Sequence, residues 1–373
     1  MSGPRAVFRH PACIPLLAWG CAVVVLVLVA GVRGYSPWDS ATWSRWDSEH
    51  YENIARNGYD LFRCSDEPTD WCGDAAWFPA YPWIVGGLHA MGLPLRGTAV
   101  LASWVLAAGT LVLLWATFLE RRSGSAVVAA LFYAAFAPGQ IYHYSVFPLS
   151  LLTFTTVAFL WLLYRERYVV AGFAGVVAAL SYPAGVLLAP VSAVWLLAQS
   201  GVPLRERLRR TAITSGLTIA GLCILMIDQR VETGRWNAFL LVQEKYQSGL
   251  HHPLIVTLRI LKGGAQNLSD GRIVAISVQT ALVTVVLALV LAHTFRRRPV
   301  LGRLDLLLLL WALAAWALPL SQAVWSIHRG QAVLLPLAVL VARFPSRLAW
   351  SLALAAVAVA VWMELYFLDG SLV

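Results

Sequence analysis

Eleven apolar runs separated by short polar turns are the feature that most constrains what this chain can fold into. A helix needs about 20 residues to cross roughly 30 Å of hydrocarbon. Lipid cannot satisfy free backbone hydrogen-bonding groups, so each crossing segment must be helical. We therefore predict an all-α polytopic membrane protein with ten or eleven transmembrane helices, forming one integral membrane domain over residues 1–373. The runs lie near 14–33, 97–119, 124–141, 146–163, 168–182, 183–199, 211–229, 273–294, 304–320, 331–343 and 348–368.

The composition agrees with a bilayer as the solvent. Apolar residues make up 59% of the chain and charged residues only 13%, whereas soluble domains are about half apolar and a quarter charged. This excludes a soluble enzyme, a nucleic-acid binder and a disordered chain. The expected partner is the lipid bilayer, with no nucleic acid, despite a net charge of +9.

The positions of the basic residues predict an orientation, because short cytoplasmic loops are enriched in Lys and Arg. With a cytoplasmic N-terminus, 16 of the 28 basic residues fall on the inner side. This topology predicts a multi-pass protein of the cell membrane with two large extracytoplasmic loops, 34–96 and 230–272. It also requires the apolar piece 77–93 to be an interfacial helix that does not cross.

Two of the five cysteines lie in the first predicted outer loop. Cys64 and Cys72 flank a polar stretch of seven residues, and an oxidising compartment permits disulfides. We expect a disulfide that closes a small loop. A zinc pair is the alternative, although neither Cys nor His follows closely enough to complete a metal site.

The same loop contains nine acidic residues, and one of them is oddly placed. A helix over 43–57 would put Glu49 and Glu52 on a solvated face and form an apolar stripe from Trp43, Trp46, Asp47, His50 and Ile54. An unpaired carboxylate on an apolar stripe is costly. Asp47 occupies the third helical position after a Ser44 N-cap, or faces a site at the membrane surface, and the two roles can coexist.

Several motifs in this chain occur in the order of a known family. They are Arg45-Trp46-Asp47-Ser48-Glu49-His50-Tyr51, Phe78-Pro79-Ala80-Tyr81-Pro82, Thr233-Gly234-Arg235-Trp236-Asn237-Ala238-Phe239 with Gln243, and Ser326-Ile327-His328-Arg329-Gly330 before Leu334-Leu335-Pro336. Together they resemble the PIG-V-like mannosyltransferases of the GT-C superfamily, which include the second mannosyltransferase of GPI-anchor assembly and short bacterial members. The first block is the most specific.

The resemblance implies transfer of a sugar, with inversion, from a polyprenyl-phosphate carrier to an acceptor hydroxyl. Such a reaction needs a base for the hydroxyl proton and cations for the departing phosphate. Asp47 is the expected base. Asp39 is the second candidate, and its alternative is to cap a turn after Pro37. The expected substrate-binding residues are His50, Tyr51, Arg329, His328 and Lys245.

No cofactor or metal is expected. His251 and His252 are adjacent, whereas helical ligand pairs favour a spacing of three or four, and no nucleotide-binding glycine motif opens a helix. The acceptor stays open among a lipid glycan, a glycolipid head and a protein Ser or Thr, and mannose is not distinguished from another hexose.

Two rival functions remain open at this point. The chain has Arg235 where the family pattern has Asp, and Gly330 where it has Tyr, which keeps a catalytically inactive GT-C-fold subunit possible. A polytopic lipid or glycan transporter is the other alternative. Intramembrane charges would mark its translocation path, yet the apolar runs contain almost none, with Asp228 and Asp305 at their edges.

Overall fold

The described part of the chain forms a bundle of helices with one small β-hairpin. The computed structural model describes residues 13–67, 70–246, 249–297, 301–322 and 326–372. In chain order, the α-helices of these residues are α1 (Cys13–Val32), α2 (Ser48–Asn57), α3 (Ala80–Ala90), α4 (Leu95–Thr117), α5 (Ser125–Ala135), α6 (Ile141–Tyr144), α7 (Leu149–Tyr164), α8 (Tyr168–Ser181), α9 (Leu188–Leu197), α10 (Leu204–Thr233), α11 (Ala238–Gln243), α12 (Pro253–Gln266), α13 (Gly271–Arg297), α14 (Arg303–Ser321), α15 (Ile327–Gly330), α16 (Ala338–Val341) and α17 (Ser346–Leu368).

Eleven apolar helical units in the described residues correspond to the eleven apolar runs of the sequence. Six helices are long and apolar enough to cross a membrane, namely α1, α4, α10, α13, α14 and α17. Five shorter apolar units are α5, α7, α8, Pro183–Leu197 and Ile327–Val341, the last two combining 3-10 and α segments. This confirms the prediction of an all-α polytopic membrane protein.

Helices in lipid gain little from hydrophobic association with each other, so they pack through small residues that let their backbones approach closely. The α8–α10 pair uses this device. A Cβ added at Gly175 would lie 2.1 Å from the Thr218 hydroxyl, and one added at Gly221 would lie 2.7 Å from the Val176 carbonyl oxygen. Any side chain at either position would push the two helices apart.

The two ends of the bundle differ in character. At the end that we call the loop-rich end, segments 34–96 and 230–272 contact each other. The backbone N–H of Tyr59 donates to Glu232, and the Gln243 amide donates to the Ala76 carbonyl at 3.5 Å. The opposite end carries arginine pairs such as Arg303 with Glu166. The loop-rich end therefore differs by its two large contacting segments, between which a site can be built.

Segment 34–96 differs from the predicted single helix over 43–57. A 3-10 helix, Ser40–Trp43, comes first, and α2 begins only at Ser48. Between them the backbone of Trp46 has a φ of 53°, a left-handed conformation that interrupts a right-handed helix. Ser44 is therefore no N-cap of α2, Asp47 directly precedes the helix, and Trp43 is buried while Trp46 is exposed.

Glu52 was expected on a solvated face, and this is wrong. Its side chain is buried on the inner face of α2. Arg96 at the start of α4 donates to both carboxylate oxygens, at 2.7 and 2.9 Å, and the Ser44 hydroxyl donates at 2.7 Å. Such a bidentate pair compensates for the desolvation of a buried carboxylate. It fastens α2 to the first residues of α4.

The rest of the segment is a hairpin and a short helix. Strands β1 (Phe62–Arg63) and β2 (Trp71–Cys72) pair antiparallel, with Phe62 opposite Cys72. The piece 77–93 contains only the 11-residue helix α3. At about 1.5 Å per residue it spans roughly 16 Å, about half of a hydrocarbon core.

One acidic residue within an apolar run of the described chain escaped the sequence argument. Glu364 in α17 is fully buried, and neither carboxyl oxygen has a hydrogen-bond partner among the described residues. Asp305, by contrast, pairs with Arg343 near the start of α14.

Candidate functional site

A cavity of about 420 Å³ opens at the loop-rich end. Its walls come from the start of α2, residues 76–78, α6 and the turn after it, the start of Pro183–Leu197, the region 239–246, and the facing ends of α14 and α15. Aromatic side chains dominate the lining: Trp46, Tyr51, Trp77, Phe78, Tyr142, Phe147, Tyr182, Phe239 and Tyr246. The two large segments 34–96 and 230–272 thus share one cavity with the bundle.

Two charged side chains line this cavity among the described residues, and they contact each other. Arg329 Nη1 donates to Asp47 Oδ2. The side chains are 24% and 17% exposed for Asp47 and Arg329, respectively. The pair is therefore largely desolvated but still reachable from the cavity.

The backbone explains why the two charges meet. Asp47 stands at the entrance to α2, immediately after the left-handed Trp46. Arg329 lies in α15, a single turn that packs against α14. A Cβ at Gly330 would lie 2.7 Å from the Pro319 Cβ, so the absence of a side chain lets this turn sit close to α14. Gly330, a departure from the family pattern, thus has a packing role here.

The environment of Asp47 favours its ionised form. Burial acts to raise the pKa of Asp47, but the Arg329 charge and the hydrogen-bonding Trp77 side chain outweigh burial and hold the pKa below its ordinary value. Burial, followed by the nearby Asp47 charge, raises the pKa of Tyr51 well above 10. The cavity therefore presents a carboxylate beside a neutral phenol at neutral pH.

The Arg329 guanidinium packs on an aromatic ring and, within the described part of the chain, keeps an N–H group free for a ligand. Its guanidinium carbon lies 5.6 Å from the centroid of the Phe147 ring, a cation–π distance. Its Nε has no hydrogen-bond partner among the described residues. A planar guanidinium with spare donors is suited to forked contacts with phosphate or carboxylate oxygens.

Of the other expected site residues, Tyr51 lines the cavity and four do not. Asp39 is exposed and accepts a hydrogen bond from the Ala41 backbone N–H at 2.9 Å, which caps the 3-10 helix. The turn-capping alternative therefore describes its position. Lys245 is also outside the lining, with its Nζ 3.2 Å from Cys72 Sγ.

The two expected histidines lie behind the wall instead of in it. His328 is buried, and its Nε2 is 2.8 Å from the Tyr142 hydroxyl, a group that does line the cavity. His50 stacks on Trp77 with ring centroids 3.4 Å apart and an interplanar angle of 15°. Each histidine thus contacts a wall aromatic and does not reach the cavity itself.

Cys64 and Cys72 form a disulfide across the hairpin, with Cα atoms 5.5 Å apart. A sulfur in a disulfide is not available as a thiolate ligand, so the zinc-pair alternative does not describe this arrangement. Neither cysteine lines the cavity.

Several wall residues were not singled out by sequence reasoning. Trp77 carried no signal of its own, because nothing near 77 distinguishes it from the other interfacial aromatics. Tyr142 and Tyr182 stand at the ends of apolar runs, and Tyr246 follows Lys245 in the second large segment. Phe78, Phe239, Gln243 and Ser326 belonged to quoted motifs but had been given no role. Residues that approach from four separate parts of the chain give no common pattern in the sequence.

The arrangement can perform two elementary tasks. A largely desolvated carboxylate can accept a proton from a hydroxyl placed beside it, and the adjacent guanidinium can stabilise an oxyanion such as a phosphate. No model of a known protein family matches this chain, and no curated protein matches its sequence. Its function therefore has to be inferred from the site.

Proposed function

We propose that this protein is a membrane glycosyltransferase. It moves a mannosyl or other hexosyl unit from a polyprenyl-phosphate-linked donor to an acceptor hydroxyl, with inversion. The observation that carries the proposal is the Asp47–Arg329 pair in the wall of an aromatic cavity. The resemblance of the Arg45–Tyr51 block to PIG-V-like mannosyltransferases supports the same chemistry.

In this proposal Asp47 is the general base. It takes the proton of the acceptor hydroxyl while the oxygen forms a bond to the anomeric carbon, and the bond from that carbon to the phosphate oxygen breaks. The bonding electrons leave with the polyprenyl phosphate. Arg329 stabilises the charge that develops on the leaving phosphate.

The resting contact between the two residues gives the reaction an order. When the phosphate of the sugar donor binds Arg329, it competes with Asp47 for the same N–H groups, because the guanidinium pairs with the carboxylate in the structure. Donor binding thereby releases Asp47 toward the acceptor. A polar site with aromatic walls, including Trp77 and Tyr246, suits a sugar, and apolar wall residues such as Leu318 suit the first isoprene units.

The proposed orientation follows the positive-inside rule. It puts the loop-rich end, with segments 34–96 and 230–272, on the extracytoplasmic side of the cell membrane. The disulfide Cys64–Cys72 supports this side, since disulfides persist in oxidising compartments.

The test is a transfer assay with purified protein in liposomes. Radiolabelled polyprenyl-phosphate-mannose is supplied together with a membrane extract, and the labelled product is identified as glycan, glycolipid or protein. Nucleotide-activated mannose is the control donor and should give no product. Donor that binds without any transfer would favour an inactive subunit, and labelled donor that changes leaflet unaltered would favour a transporter.

A further inference from the structure

Asp74 is a buried acid with an organised set of partners outside the cavity lining. It is 4% exposed. Its Oδ1 lies 2.5 Å from His50 Nδ1, and its Oδ2 accepts from the Asn53 amide. Its own backbone N–H donates to Asp60 Oδ1 at 2.7 Å. These contacts hold the Asp74 carboxylate against α2.

The His50 ring connects Asp74 to the cavity wall. Asp74 holds one ring nitrogen, and the flat face of the ring covers Trp77 at a centroid distance of 3.4 Å. The backbone N–H of Trp77 in turn donates to the Asp74 carbonyl at 3.0 Å. Trp77 is thus fixed by its own main chain on one side and by the His50 ring on the other.

Trp77 lines the same cavity as Asp47, and the His50 ring that covers it belongs to the residue whose backbone N–H donates to the Asp47 carbonyl at 3.1 Å. We infer that Asp74, His50 and Trp77 form a positioning set for Asp47, in which His50 braces the Trp77 indole and the indole orients the carboxylate. His50 then has no contact with the sugar. This inference rests on the proposed function only for its catalytic consequence, because the contacts among Asp74, His50 and Trp77 exist whatever the protein transfers.

The titration of Asp47 reports on this series of contacts. Among the groups whose charges act on Asp47, Arg329 and His50 lower its pKa, as does the hydrogen-bonding Trp77 side chain. Tyrosines also act on the carboxylate, Tyr51 from α2 itself and Tyr142, Tyr182 and Tyr246 from other elements. A displaced Trp77 removes one stabilising donor and leaves the others in place.

The experiment is pH-difference infrared spectroscopy on the full chain in lipid nanodiscs, with ¹³C-carboxyl aspartate. The Asp47 band is assigned by its loss in Asp47→Asn. The variants are Trp77→Phe, which keeps the ring and removes the indole donor, together with His50→Gln and His50→Phe. Trp83→Phe and His89→Gln are matched controls on α3, where neither side chain lines the cavity.

The expected result is that Trp77→Phe protonates Asp47 at a higher pH than wild type. His50→Gln, which loses the stacked ring, should shift the titration further than His50→Phe, which keeps an aromatic face against Trp77. A merely electrostatic role of His50 predicts equal shifts for both His50 variants. Equal shifts, or a wild-type titration in Trp77→Phe, would overturn the inference.

A kinetic readout separates this inference from the proposed function. Misplacing a base by a fraction of an ångström to an ångström costs up to about a hundredfold in rate. We expect kcat for sugar transfer to fall roughly tenfold or more in His50→Gln and Trp77→Phe, with the donor KM unchanged. His50→Phe keeps the stacked face but loses the Asp74 contact, so it should rescue kcat only in part. If wild-type protein transfers no sugar, the proposed function fails while the infrared result still decides the positioning set.

Discussion

Replacing Asp47 by Asn separates the two roles that the sequence allows for this residue. The substitution keeps the size of the side chain and an acceptor oxygen while removing the negative charge. The capping role predicts a modest loss of stability with activity retained. However, the Asp47 side chain makes no capping hydrogen bond to α2, so the loss of a cap contributes little to the expected effect.

The structural cost of Asp47→Asn arises from Arg329. Removing one partner of a fully buried ion pair costs about 3–5 kcal/mol. The Asp47 and Arg329 side chains keep 24% and 17% exposure, and Asn still offers an acceptor. We therefore expect a loss of only about 1–2 kcal/mol in the free energy of unfolding, which leaves the protein folded.

The catalytic cost is larger. Loss of a general base slows a reaction by about 10²–10⁴-fold, which is roughly 3–5 kcal/mol of barrier at 1.36 kcal/mol per tenfold. Single-turnover transfer from radiolabelled polyprenyl-phosphate-mannose measures this rate. Donor binding and thermal stability are measured on the same preparation, because unfolding would mimic lost catalysis. Donor binding should persist, since Arg329 is intact.

Asp39→Asn is the matched control, eight residues earlier in the same segment. Asp39 is exposed and caps a 3-10 turn, so this variant should transfer sugar at near wild-type rate. An Asp47→Asn protein that is folded, binds donor and transfers at near wild-type rate would refute the assignment of Asp47 as the base.

Four further outcomes are expected. Arg329→Lys keeps the charge but loses the fork and should weaken donor binding, and Arg329→Ala should weaken it more. In wild type, the ionised Asp47 paired with Arg329 stabilises the fold fully above the unfolded Asp pKa of about 3.9. This stabilisation is lost as the pH falls through the lowered pKa of Asp47 in the folded protein. Arg329→Ala lacks it, so acid denaturation of this variant should begin at a higher pH than in wild type. Replacing both Cys64 and Cys72 by Ser should lower stability by about 2–3 kcal/mol and leave transfer intact, as measured by chemical denaturation and the transfer assay. In intact cells, an impermeant thiol reagent should label Asn57→Cys and spare Arg207→Cys, and the reverse pattern would contradict the proposed orientation.

The fold was largely predictable because the bilayer imposes a simple rule on sequence. Each apolar run must become a helix, so run lengths alone gave the helices of the bundle. The start of α2 was not predictable in this way. Periodicity over 43–57 favoured one helix, but Asp39 nucleates a separate turn and Trp46 adopts a left-handed backbone. These are local hydrogen-bond and tertiary effects that a periodic pattern does not contain.

Within the site, sequence reasoning found the acid and the guanidinium but not their contact. Asp47 and Arg329 are 282 residues apart, and no pattern in either motif predicts a pair. Glu52 shows the same limit from the opposite direction. The pattern of its own helix predicts that Glu52 is solvated. It is buried because Arg96, 44 residues later, supplies two hydrogen-bond donors. Charge compensation between distant segments is decided by packing.

The Asp47–Arg329 contact also bears on how segment 34–96 meets the bundle. Eight apolar helical units of the described chain lie between these two residues, from α4 to α14. An even number of units that run from end to end returns the chain to the end from which it started. A ninth crossing by α3 would place Asp47 and Arg329 at opposite ends, about 30 Å apart, and no side chain spans that distance. With each of the eight units, the equally short α5 included, counted as one pass from end to end, the ion pair agrees with an α3 that adds no ninth pass.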